Sequence, residues 1–152
     1  MAKEQLKEFL REKKEKATPT GMDWAAKRDA WIKAVNDLYG AIADDYLGLA
    51  DMTDIVQVDR DRMKTVEEPH IGSYSIPEMM LTVGDEQVLF SPKGVNVFGA
   101  AGRVDVQGDR GEATLVRQSD DRWSLVVSRS PTLKLVPLND ESFLEMLRSV
   151  MR

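Results

Sequence analysis

The chain has 152 residues, 42% of them apolar and 31% charged, with a net charge of -5 and an isoelectric point near 5.0. That length suits one domain with a real core. The absence of Cys excludes disulfides, thiolate chemistry and Cys-based zinc sites, and a single His excludes His-rich metal centres. The acidic balance argues against a primary grip on nucleic acid or an anionic membrane.

Residues 3–16 predict a short helix. Leu6, Phe9 and Leu10 make one narrow stripe at i, i+3, i+4. Lys3, Lys7, Arg11, Lys13, Lys14 and Lys16 outnumber Glu4, Glu8, Glu12 and Glu15 by two, so the segment is basic while the rest of the chain is acidic. Three apolar residues do not sustain a coiled coil. Thr18-Pro19-Thr20-Gly21 ends the helix. The expected organisation is therefore an amphipathic helix over 1–17 and a single α+β domain over 18–152. No apolar h-region follows the charged start, which gives no sign of a signal peptide, and no apolar run reaches membrane-spanning length. A cytoplasmic protein is the expectation.

Residues 23–49 predict a long helix. Trp24, Arg28, Trp31, Val35, Leu38, Ile42 and Leu49 keep one face, widened by Ile32, Tyr39 and Tyr46. Gly40 inside it suggests a close contact or a bend. Residues 51–78 are less regular. Asp54 to Arg60 and Ile71 to Ile76 have strand character, and Asp59-Arg60-Asp61-Arg62 has the alternating charge of a guarded edge strand.

From residue 79 the apolar period becomes 2. Matching apolar faces across successive turns sets a register, because a one-residue slip turns a strand over. Gly84-Asp85 puts Leu81 opposite Val88 and Met79 opposite Phe90. Ser91-Pro92-Lys93-Gly94, taken as a turn, puts Phe90 opposite Val95. Gly99 to Gly102 then puts Val95 opposite Val106 and Val97 opposite Val104. Gly108 to Gly111 puts Val106 opposite Ala113 and Val104 opposite Leu115. Loops 119–121 and 129–131 put Leu115 opposite Leu125, Ala113 opposite Val127, Val127 opposite Leu133 and Leu125 opposite Leu135. The predicted fold is an α+β antiparallel meander of about seven strands over residues 79–138, packed on the long N-terminal helix. A short C-terminal helix follows, capped by Asn139 or Asp140, with Phe143, Leu144, Leu147 and Met151 as its stripe.

The motifs that carry chemistry are weak. Gly94 to Gly99 has the G-x-x-x-x-G spacing of a phosphate loop, but Ala100-Ala101 stands where Lys and Ser/Thr are needed. Glu67, Glu68 and His70 offer acid–base or metal-ligating groups, yet neighbours around Pro69 rarely converge on one point. Asp59 and Asp61 would share one strand face, as metal-dependent hydrolases require. Trp24 and Trp31, at helical spacing, read as core. On the meander, Arg103, Asp105 and Gln107 point away from the apolar face, opposite Val116, Thr114 and Glu112. Arg117 belongs to the inner-facing set beside Trp123, where it could lie over the ring.

No catalytic constellation, metal site or cofactor is expected. The favoured function is a non-catalytic protein-interaction module of inhibitor, immunity or adaptor type, with Arg103, Asp105 and Arg117 as candidate binding residues and a protein partner, of basic character, steered by charge. Neither nucleic acid nor membrane is an expected partner, and an edge strand or the N-terminal helix offers a route to homo-oligomers. The alternative is a small metal-assisted hydrolase or ligand-binding barrel using the carboxylates of 54–70.

Overall fold

The computed structural model describes residues 2–17, 24–48, 54–95, 101–118, 122–128 and 134–152. Helix α1 is Ala2–Ala17 and α2 is Trp24–Ala41, which continues into a π-helical turn over Ile42–Tyr46. Seven strands follow: β1 Gln57–Glu68, β2 Gly72–Val83, β3 Glu86–Gly94, β4 Arg103–Gln107, β5 Glu112–Arg117, β6 Trp123–Ser128 and β7 Lys134–Pro137. Helix α3, Asp140–Val150, comes last. The strands form one sheet in chain order, every neighbour antiparallel. The fold is the expected α+β meander, with β1 and β7 at its two ends among the described residues. Among the described residues, no helix is long and apolar enough to cross a membrane.

The broad stripe on α2 is buried as its period requires. Trp31, Val35, Leu38, Tyr39 and Ile42 are almost fully covered and meet Met79, Leu81, Val88, Phe90, Val104, Val106 and Leu115 from the sheet. Hydrophobic burial on this scale is the main force holding the two layers. The one polar atom that Tyr39 carries inside is satisfied. Its hydroxyl donates to the Pro77 carbonyl at 2.9 Å and lies 3.3 Å from the Phe90 carbonyl oxygen, where the β2–β3 ladder ends at Met79–Phe90. Burial pushes that phenol far up from its ordinary pKa, and Glu78 adds to the effect. Gly40 lies against Arg60, which donates to the Asn36 carbonyl at 3.3 Å and so ties β1 to the helix.

Several predicted pairs are present: Leu81–Val88, Met79–Phe90, Val106–Ala113, Val104–Leu115 and Leu115–Leu125. Others are corrected. Ser91 to Gly94 is not a turn. The chain runs on as strand through Pro92, and β3 pairs directly with β4, Phe90 facing Val106 and Pro92 facing Val104. Val95 is buried but pairs with neither Phe90 nor Val106. The predicted partners at Val97 and Leu133 lie outside the described residues. Leu125 faces Val136 rather than Leu135, because the β6–β7 register shifts between Val126 and Ser128, and Val127 is turned outward there. The sheet therefore begins at Gln57, not at 79.

The long β1–β2 hairpin holds what was unclear before residue 79. Along β2 the buried side changes, with Tyr74 and Ile76 on one face and Pro77, Met79 and Leu81 on the other. The distal half of the hairpin leaves the β2–β3 ladder and its β1 strand lies against β3. There Lys64 reaches Ser91 and Glu68 reaches Val95, four residues further along on both strands. Edge strand β1 carries a bulge between Asp59 and Arg62, where the Asp61 N–H donates to the Asp59 carboxylate at 3.0 Å. The bulge and its charges blunt the edge against unwanted pairing.

Helix α3 is capped by Asn139. Its side chain accepts from the Ser142 N–H while the Ser142 hydroxyl accepts from the Asn139 N–H, both at 2.9 Å. Its buried face is Phe143, Met146 and Val150. Leu144, expected on the stripe, is exposed, and Leu147 and Met151 are half-buried. The face is fixed by the helix end: the Val150 carbonyl accepts from the Arg110 N–H at 2.8 Å and touches Gly108, so Val150 turns toward the β4–β5 turn.

Candidate functional site

Alternation along β4 and β5 sends Arg103, Asp105 and Gln107 to the outer face, paired with Val116, Thr114 and Glu112 as expected. Arg103 grips Asp105 as a fork, Nε to Oδ1 at 2.6 Å and Nη2 to Oδ2 at 3.1 Å. Such bidentate, charge-assisted bonds fix both side chains in one plane. The ion pair is part-exposed, and the hydrogen bond from Asp105 holds the guanidinium above its ordinary pKa.

Asp105 also faces Ser91 across the β3–β4 ladder. It lines a polar cleft of about 370 Å³ to which five strands contribute: Lys64 of β1, Glu78 of β2, Ser91 and Lys93 of β3, Asp105 and Gln107 of β4, and Glu112 of β5. Inside it, the Lys64 ammonium donates to the Ser91 hydroxyl at 2.9 Å. Ser91 is buried and Lys64 part-buried. Desolvation lowers the Lys64 pKa from its ordinary value and the charge of Lys93 lowers it further. Glu78 and Asp105 oppose that and favour the ammonium.

Arg117 occupies the opposite side of the sheet. It faces Trp123 across β5–β6, its backbone N–H donates to the Gly102 carbonyl at 2.8 Å, and its guanidinium lies 3.4 Å from the Ala101 carbonyl oxygen. The structure thus brings Arg103 and Asp105 together and keeps Arg117 apart from them. Sequence reasoning missed Lys64, Glu78, Ser91 and Lys93. Two of these lay in an unregistered segment, and two lay in what resembled a turn. A separate groove of about 320 Å³, between α2 and the β6–β7 side, is lined by Leu38, Tyr46, Trp123 and Leu138 with Asp37 and Arg122 at its polar margin.

The carboxylates of 54–70 do not gather. Asp59 and Asp61 sit in the β1 bulge, and Glu67 and Glu68 alternate between exposed and buried sides. Glu68 is taken up internally, accepting from the Tyr74 hydroxyl and from the Val95 N–H at 2.9 Å. Burial, and then the bond to Glu68, push the Tyr74 phenol well up from its ordinary pKa. His70, at the hairpin tip with φ 69°, stacks on Trp24 at 5.2 Å between centroids, and Lys27 lies over the same indole at 4.9 Å. Among the described residues, no group of three or more His, Asp or Glu side chains is placed to hold a metal ion. No protein-family model matches the chain, and comparisons with curated proteins and with solved structures likewise find no match.

Proposed function

We propose that the protein is a non-catalytic interaction module whose outer sheet face receives a protein partner. One observation carries this: Asp105, held in place by Arg103, and the Lys64–Ser91 bond stand preformed around one cleft on the sheet. Preorganised charged groups lose little freedom on association, which favours recognition. The net charge of -5 steers a basic partner toward the molecule, and the cleft then sets its register. An open sheet with scattered 54–70 carboxylates lends no support to the barrel or metal-hydrolase alternative.

The test is tagged capture from the native cell, with the wild-type chain beside Arg103→Ala and Lys93→Glu. A stoichiometric partner retained by the wild type and lost by both variants supports the proposal. Recovery of the wild-type chain alone overturns it, and so does a partner held equally by all three.

A further inference from the structure

The cleft on the outer face is polarised. Its β1–β3 wall presents two ammonium groups, Lys64 and Lys93, against one carboxylate, Glu78. Its β4–β5 wall presents the carboxylates Asp105 and Glu112. Asp105 is charge-paired with Arg103 in the free protein, so among the described residues Glu112 is the carboxylate of that wall with no ion pair. On the basic wall burial and then the charge of Lys93 disfavour the Lys64 ammonium, with Glu78 and Asp105 opposing them, and the Ser91 hydroxyl accepts from that ammonium. Like charges held together in a part-desolvated cleft repel, and an incoming anion relieves that repulsion. The Ser91 hydroxyl, while accepting from Lys64, keeps its own proton to donate. Two ammonium groups and one hydroxyl donor form a seat for a carboxylate. The adjoining β4–β5 wall forms a seat for a cation.

We infer that this cleft takes a segment of the partner in which an acidic side chain stands next to a basic one. The carboxylate sits on Lys64, Ser91 and Lys93, and the cation sits toward Glu112. The inference rests on the interaction reading above and narrows it from a surface to a ligand chemistry. It also separates two tasks: overall charge draws a basic partner in, and the cleft selects a paired charge of both signs within it. A volume of about 370 Å³ accommodates two side chains, not a folded domain, so the segment enters as a short exposed stretch.

The experiment is a titration of the isotopically labelled full chain, followed by amide NMR shifts, with the capped dipeptide acetyl-Glu-Lys-amide as probe. Acetyl-Gln-Gln-amide, of matching size and no charge, is the control. The expected result is saturable binding in the range of roughly 1 mM, with shifts centred on residues 64, 91, 93, 105 and 112 and none from the control. Lys64→Met and Lys93→Met should each weaken binding about tenfold, as loss of a charge-assisted bond implies. Lys93 is exposed, so Lys93→Met keeps the test valid if Lys64→Met fails to fold. Non-saturating shifts, equal shifts from the neutral control, or unchanged affinity in Lys93→Met overturn the inference. Capture that depends on the outer face together with a failed titration sinks only the ligand chemistry. A successful titration with no captured partner sinks the interaction role and leaves the cleft as a small-ligand site.

Discussion

Helices α1 and α3 are both amphipathic and behave differently. In α1, Leu6, Phe9 and Leu10 are each more than half exposed. In α3, Phe143, Met146 and Val150 are buried. Helix α1 offers three large apolar residues and α3 five, counting Leu144 and Leu147. A second feature of α3 is that its ends are anchored. Helix α3 has its first turn closed by the Asn139–Ser142 box, with the Ser142 hydroxyl also donating to the Pro137 carbonyl at 2.8 Å. Its last carbonyl is bonded to Arg110, and the Arg152 N–H just beyond donates to Glu86 at 2.7 Å. Amphipathicity offers a helix a face to bury, and both the size of that face and anchored ends help hold it against something.

The largest expected effect in this comparison is at the buried aromatic. Phe143→Ala should cost about 3–5 kcal/mol, and Leu6→Ala about 0.5 kcal/mol or less, read as urea midpoints at constant slope. Equal losses would mean that the α1 stripe is packed in solution, and the contrast would collapse. Next comes Gly108→Ala. A Cβ there would press inside van der Waals contact with the Val150 carbonyl oxygen, so the end of α3 must shift. A loss of about 1–3 kcal/mol is expected, with faster hydrogen exchange at the Arg110 amide. Unchanged exchange at Arg110 would show that this anchor does not hold the helix. The smallest effect is Asn139→Ala, about 1 kcal/mol in thermal or urea unfolding, against a few tenths for Asn139→Gly. A negligible loss in both variants would move the cause of docking from the cap to the buried face.

Most of the meander was legible because short loops and strict alternation leave few registers open. β4, β5 and the start of β6 illustrate this, with Val104–Leu115 and Leu115–Leu125 set by apolar matching alone. The β1–β2 hairpin was not legible, because its buried face changes between Ile76 and Pro77 and no single period fits it. The segment Ser91-Pro92-Lys93-Gly94 has turn composition for reasons that are tertiary. Pro92 faces Val104 where the register shifts, and Gly94 leaves space for a carboxylate. The same error hid half of the cleft. Arg103 and Asp105 could be placed on the outer face from alternation, but Ser91 and Lys93 could join them only once β3 was known to continue. Lys64 needed the hairpin to fold back over β3, which no local pattern encodes. On α3, Phe143 with Met146 and Val150 keeps helical spacing as well as Phe143 with Leu144 and Leu147, and only the β4–β5 turn chooses between them.

The buried Glu68 also ties together two positions that are 26 apart in the chain. Its carboxylate fills the space where a Cβ on residue 94 would stand, 2.5 Å from Oε1, and the φ of 151° at Gly94 is itself one that side chains seldom adopt. Position 94 therefore cannot drift while Glu68 stays. A side chain gained at 94 evicts the carboxylate, strands the Val95 N–H and leaves the Tyr74 hydroxyl without its acceptor. Among diverged copies of this chain, an acidic residue at 68 should always be found with glycine at 94, while the backbone at 94 lets glycine outlast the loss of Glu68.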